Sequence, residues 1–368
     1  MFREAKKFVK REVVLVVALA LALGSSFRHI PDWHCIDIDV LGILFSLMLV
    51  VSGLKSIRFL DWLALELLNH CTGSRTVSYM LVAICFIASM FVTNDVALIT
   101  FVPLALIIGK TIARDMVLPI ILMTMAANLG GMLTPQGNPQ NLFLFNHYGY
   151  TAWEFIKVMS VPVLLSGAFI FLIIARTGNA PIVLSLNQLP RPNRHLTLTY
   201  LVLLTINIAA VLHYFDKWLV IGLTTLIVAA GNRLLLKQVD YSLLLTFIGF
   251  FIFIGNVQDT ELVAYLKNSI LGTVTGAYVT SALLSQIISN VPAAMLLAGL
   301  TDQADPLLVG VNVGGLGTLI ASMASVISYK LFAAAHPYQA FSYLKSFIFY
   351  NFLGLIIIGG LSYLWLLY

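Results

Sequence analysis

Charge is what this chain has least of. Only 10% of its 368 residues are Asp, Glu, Lys or Arg, against 60% that are hydrophobic. A soluble domain needs far more polar surface, and the longest polar stretch runs only from about Thr177 to Leu196. Cysteine is nearly missing: Cys35, Cys71 and Cys85 are odd in number and show no C-x-x-C spacing, which suggests neither a disulfide framework nor a metal site. The seven histidines fall near predicted helix ends or in loops, without metal-ligand spacing. No G-x-S-x-G, H-E-x-x-H or paired-carboxylate pattern is present, so neither an enzyme nor a cofactor is expected. The net charge of +5 flanks apolar runs, which argues against a nucleic-acid partner.

What fills the space is apolar sequence in runs of about 18–20 residues, the length that crosses a bilayer core. The fold class is therefore an all-α polytopic membrane protein, with the lipid bilayer as its surroundings. Full crossings are expected near 12–28, 38–56, 115–148, 152–176, 197–213, 217–236, 241–258, 305–332 and 343–367, the third and eighth broken in the middle. The basic N-terminus, MFREAKKFVKREVV, reads as the cytoplasmic end of an uncleaved first helix, a signal peptide being the alternative. Two further runs, about 76–109 and 273–300, are too long for one helix and too interrupted for two spans, and are expected to be re-entrant helical hairpins. With the N-terminus in the cytoplasm, only Arg28, Lys157, Lys217 and Lys267 of the 21 Lys and Arg fall outside. That is the bias the positive-inside rule demands.

The interruptions come in a repeated order. TNDVALITFVPL begins at Thr93 and AANLGGMLTPQGNPQN follows it; SNVPAAMLLAG begins at Ser289 and GVNVGGLGTLIASMAS follows that. Each copy has a Ser/Thr-Asn pair, Thr93-Asn94 or Ser289-Asn290, inside an apolar run. Each then has Asn-x-Gly-Gly, Asn128 to Gly131 or Asn312 to Gly315, with Thr134 or Thr318 three residues later. LMLVVSGLKSIRFLDWL (47–63) aligns with the segment around 250–265, and short amphipathic stretches at about 59–71 and 259–271 follow. Five crossings separate the two starts, so the copies run in opposite directions. Inverted repeats place a binding site near the midplane. The expected organisation is 1–37 as N-terminal helix and loop, 38–176 as the first repeat, 177–240 as linker and connecting helices, and 241–368 as the second repeat.

Hairpin tips and broken helices present free carbonyls, which suit cations, and free amides, which suit anions. Asn94, Asn290, Asn128 and Asn312 add amide side chains, Gly130 and Gly314 permit close approach, and Thr134 to Asn141 supplies further hydroxyl and amide groups. Hard cations such as Na⁺ favour these oxygens, and a Na⁺ position is expected near Asn94, Asn128 and Asn138. An isolated Gly-Gly is more often a packing device; two copies in matching order favour a site. Asp95 is the one acidic residue deep in an apolar run, which makes it a functional candidate by default. Its plainer role is to cap the second hairpin helix. The second copy has Val291 at that place.

These motifs resemble the ion transporter superfamily, which holds ArsB/NhaD-type permeases, citrate-type transporters and divalent anion/Na⁺ symporters. FVTNDVALITFVPL, LTPQGNPQNL, SQIISNVPAAMLL and GVNVGGLGTLIASMASVI look most like the ArsB/NhaD-like branch, over about 38–332. The resemblance implies a scaffold part and a transport part holding the hairpins and broken helices. It also implies an elevator-type movement driven by Na⁺ or H⁺, an inner-membrane location and a homodimer. Carried over by motif, the site comprises Thr93, Asn94, Asp95, Asn128, Gly130, Thr134, Asn138, Asn141, Ser289, Asn290, Asn312, Gly314 and Thr318. Two departures stand out. Asp95 and Val291 replace the third residue of the Ser-Asn-Thr tips of the divalent-anion symporters. Leu319 to Ser322 replace the Pro-x-Gly-Asn of the first copy, which weakens a cation site there. The expected activity is secondary transport of a small anion, with a Na⁺/H⁺ antiporter using Asp95 and a passive channel as the competing readings.

Overall fold

Away from water every backbone N–H and C=O must find a partner within the protein, so the apolar runs become helices. The computed structural model describes residues 12–27, 33–182 and 189–368. The basic stretch 1–11 and Arg28, both used for the orientation, and residues 183–188 of the polar connection lie outside these. The helices are α1 (Val13–Ser26), α2 (Ile38–Ser56), α3 (Phe59–Leu68), α4 (Ser74–Val92), α5 (Asn94–Thr111), α6 (Val117–Gly131), α7 (Pro139–His147), α8 (Ala152–Ala175) and α9 (Arg194–Val211). They continue with α10 (Lys217–Gly231), α11 (Tyr241–Val257), α12 (Glu261–Leu266), α13 (Val274–Ile288), α14 (Asn290–Ala298), α15 (Ala304–Val313), α16 (Met323–Ala335) and α17 (Ala340–Leu366). Short polar residues start many of them: Asp37, Thr151, Asn193, Asp216, Asp240 and Thr273 each accept a backbone N–H of the helix they precede.

Two expected lengths are corrected. The arms of the first hairpin, α4 and α5, run 19 and 18 residues, and each is long and apolar enough to cross a membrane alone. The interruption at Thr93 costs a single residue, so neither arm is shortened by it. In contrast α1 and α10 have only 14 and 15 residues, shorter than the crossings expected there. At the end of α10, Asn232 turns extended and a 3₁₀ segment, Arg233–Gln238, takes the remaining residues.

The helices pack as two groups. In the first, α2 lies against α9 and α10 while α11 lies along α1. Buried Asn207 ties three of these together: it accepts from Ser46 Oγ at 2.5 Å and donates to Thr224 Oγ1 at 2.9 Å. Asn256 donates to Ser25 and Ser26 across α11 and α1, and Lys217 pairs with Asp39. The second group holds α4 to α8 and α13 to α17, where α4 packs on α6, α13 on α15 and α16 on α5. The two groups meet where α2 touches α7 and α11 touches α14.

Both hairpins fold back on themselves. Ser74 and Ser78 at the start of α4 line one cavity with Ile112 and Arg114 just past the end of α5. In the second hairpin Thr301 donates to the Leu271 carbonyl at 2.5 Å, Gln303 to Gly272 at 3.1 Å, and Lys267 pairs with Asp302 at 2.8 Å. The feet lie at opposite ends of the broken helix pair α6–α7. Met116, before α6, lines the cavity with the first feet. His147 and Tyr148, at the end of α7, bond Ala298 and Thr301 of the second. Nearby, burial raises the Tyr150 hydroxyl well above the usual phenol range, and it donates to Asp305 at 2.6 Å.

Candidate functional site

The tips share a backbone that side chains avoid. Thr93 has φ 72° and ψ 151°, and Ser289 has φ 79° and ψ 154°. A non-glycine residue in such a region costs about 1–3 kcal/mol and persists only where its surroundings hold it. Neither hydroxyl caps the helix it precedes, unlike the short polar residues that start so many other helices here. At the start of α5 the Asn94 side chain takes the Asp95 N–H instead, at 2.9 Å.

A matched pair of braces holds the tips. Thr134 Oγ1 donates to the Met90 carbonyl at 2.6 Å, and Thr318 Oγ1 to the Gln286 carbonyl at 2.9 Å. Met90 and Gln286 each stand three residues before their tip. Each break satisfies an orphan carbonyl at the end of its hairpin's first arm. The glycines match as well: a β-carbon at Gly130 would land on the Phe86 carbonyl, and one at Gly314 would lie 2.9 Å from Ala282 Cα. Both breaks then form a 3₁₀ turn, Pro135–Gly137 and Leu319–Ala321. Gln286 adds a brace with no counterpart at Met90: its Nε2 donates to the carbonyls of Gly314 and Leu316.

Between copies the bonding is reciprocal. Asn128 Oδ1 accepts from Ser322 Oγ at 2.9 Å, and its Nδ2 reaches Ser325 Oγ at 3.4 Å. Asn312 donates to Asn141 Oδ1 at 2.6 Å and accepts from Asn138 at 3.5 Å and Gln140 at 3.2 Å. Shifting Asn128, Asn138 and Asn141 by 184 positions gives Asn312, Ser322 and Ser325. Each copy's asparagine therefore bonds the same two positions of the other copy. Asn94 joins by donating to Asn128 Oδ1 at 2.9 Å. Asn290 Nδ2 lies against Gly315, and Ser289 Oγ reaches the Ala321 carbonyl at 3.4 Å. Asn94, Asn128, Asn138, Asn141, Ser289, Asn290 and Asn312 are all buried.

The copies differ where an oxygen is left over. Beside Gly131, a β-carbon would meet Asn138 Oδ1 at 3.0 Å, the Gly137 carbonyl at 3.1 Å and the Ser89 carbonyl at 3.2 Å. Asn138 Oδ1 is buried with no hydrogen-bond partner. An unpartnered buried carboxamide oxygen is a candidate ligand for a hard cation. Asn94 and Asn128, also expected beside Na⁺, are bonded to each other instead, and Asn128 Oδ1 takes two donors. In the second copy the matching positions are Ala321 and Ser322, and the Ser322 hydroxyl is spent on Asn128. Asp95, second in α5, accepts no amide of its own helix, so it is not a cap; its Oδ1 is buried without a partner.

Sequence reasoning passed over Ser89, Gln286 and Ser325. Ser89 and Ser285 both stand four residues before a tip, a matched polar pair inside apolar runs. That signal was available.

A model of the citrate transporter family matches residues 4–327. A Methanocaldococcus jannaschii protein, described as an uncharacterised transporter, is 31% identical over 318 residues, covering 86% of this chain and 87% of its own. The Escherichia coli inner membrane protein YbiR is 31% identical over 347 residues, covering 89% and 88%. The crystal structure of the Alcanivorax borkumensis YdaH transporter superposes with a TM-score of 0.59 over 89% of this chain and 85% of that one; at 14% identity the likeness is one of fold. Both hairpins and both breaks fall inside the matched residues, and the chain belongs to the citrate transporter family as a multi-pass membrane transporter.

Proposed function

We propose that this chain is a secondary active transporter of a small anion, a carboxylate or oxyanion, across the inner membrane, coupled to Na⁺ or H⁺. The observation that carries this reading is the reciprocal bonding of Asn128 with Ser322 and Ser325 and of Asn312 with Asn138 and Asn141. It brings four asparagines and two serines into one buried network, which Asn94 at the start of α5 joins. Free amides and asparagine N–H groups donate to an anion. No Lys or Arg belongs to the network, so a co-bound cation supplies the positive charge, with the unpartnered Asn138 Oδ1 as its candidate ligand. The helices carrying this network slide as a body against α1, α2, α9, α10 and α11. A Na⁺/H⁺ antiporter is the second reading, favoured by the unpartnered Asp95 Oδ1.

Purified protein in liposomes separates them. Uptake of one of arsenite, citrate, succinate, malate or sulfate that saturates, shows counterflow and follows an imposed Na⁺ or proton gradient supports the anion transporter. Na⁺/H⁺ exchange with no added anion supports the antiporter. Gradient-independent, non-saturating flux overturns both in favour of a channel. Asp95→Asn is expected to abolish cation coupling; unchanged transport and pH dependence in that variant remove Asp95 from the mechanism.

A further inference from the structure

The two described cavities open beside the foot of the first hairpin, away from its tip. One, of about 280 Å³, is walled by the end of α5, the turn that follows it and the end of α16. Its lining includes Lys110 and Arg114, His336 and Gln339, and the buried side chains of Leu106, Met116 and Phe332. Lys110 and Arg114 are exposed, and neither has an ion-pair partner among the described residues. Asp115 is the one carboxylate in the wall, and it accepts the Val117 N–H at 2.9 Å to start α6. The His336 ring packs on Phe332 at 5.3 Å.

The level of this cavity is set by its neighbours. It sits where the apolar helix α5 ends, and Ile107, one turn back, is 57% exposed. Tyr338, between His336 and Gln339, is fully exposed, and so is much of Phe341. Exposed aromatic residues at the end of apolar helices mark the membrane–water boundary. A pair of unpaired cations sharing a cavity with apolar side chains, at that boundary, matches a phosphate on an acyl-bearing stem. A soluble anion would need the cations and not the apolar side chains.

We infer that this cavity binds the headgroup of an anionic phospholipid, with phosphate on Lys110 and Arg114 and the glycerol stem against Leu106, Met116 and Phe332. The site joins the foot of the first hairpin to the C-terminal half of the second broken helix. A bound lipid therefore clamps two elements drawn from different repeats.

The test uses the full chain in detergent, with the rise in thermal unfolding midpoint on adding lipid as readout. Short-chain phosphatidylglycerol, short-chain phosphatidylcholine and glycerol phosphate are titrated separately. Phosphatidylglycerol is expected to stabilise at the lowest concentration. Lys110→Gln and Arg114→Gln should each weaken that effect about fivefold, since a basic residue near the surface contributes about 1 kcal/mol toward an anionic lipid. Lys157→Gln, on α8, should leave it unchanged. Equal stabilisation by phosphatidylcholine overturns the headgroup assignment. Equal stabilisation by glycerol phosphate makes the pocket a soluble-phosphate site and overturns the lipid. An equal loss in Lys157→Gln reduces the effect to general charge and overturns the site.

Discussion

A β-carbon at Gly130 has nowhere to go. It would land on the Phe86 carbonyl, and backbone cannot swing aside as a side chain can. Gly130→Ala must push α4 away from α6, at a cost of about 1–3 kcal/mol, the usual range for overpacking. Gly360→Ala is the control, because nothing lies within 4 Å of the added carbon there. Thermal unfolding in detergent should show a lowered midpoint for the first variant alone; equal midpoints would mean that α4 and α6 yield without cost. The same residue scale explains Thr93 and Ser289. Their positive φ stores strain in both copies, and such strain persists only where the surrounding structure holds it.

The elements around each tip repeat, yet they are not equally braced. The Met90 carbonyl accepts from Thr134 Oγ1 and also from Gln136 Nε2 at 3.0 Å, whereas the Gln286 carbonyl has Thr318 Oγ1. Thr134→Val leaves its carbonyl one partner and should cost about 0.5–1.5 kcal/mol. Thr318→Val strands a carbonyl and should cost about 1–3 kcal/mol. Unfolding midpoints of the two variants give the order; a larger loss for Thr134→Val would contradict it. The interruptions were legible because Thr93-Asn94, Ser289-Asn290 and both Asn-x-Gly-Gly elements break apolar runs, where polar residues need a reason. The 3₁₀ turn Leu319–Ala321 was not, since nothing in Leu-Ile-Ala matches the Pro-Gln-Gly of the first copy; packing imposes it. The partners of Asn128 and Asn312 were also hidden. They lie well over a hundred positions away in the other repeat, and local pattern carries no information about which polar groups meet there.

At the scale of the whole molecule, the reciprocal bonds tie both repeats into one body, while α2, α9 and α10 are tied by their own Ser46–Asn207–Thr224 set. Few elements bridge the two groups, and one close approach between them is Gly299, at the end of α14, to Ile254 of α11. If the transport helices move as a unit, a covalent link across that boundary must stop transport, and a link inside the unit must not. Ile254→Cys with Gly299→Cys makes the first link. Thr124→Cys with Ser328→Cys makes the second, because these hydroxyls already lie 2.7 Å apart on α6 and α16. Both are built in a chain whose Cys35, Cys71 and Cys85 are replaced. Oxidation should abolish uptake in the first pair, with recovery on reduction, and leave the second near its reduced rate. Arrest by the Thr124–Ser328 link alone would instead place the working motion between the repeats, with the scaffold and its neighbour α14 moving together.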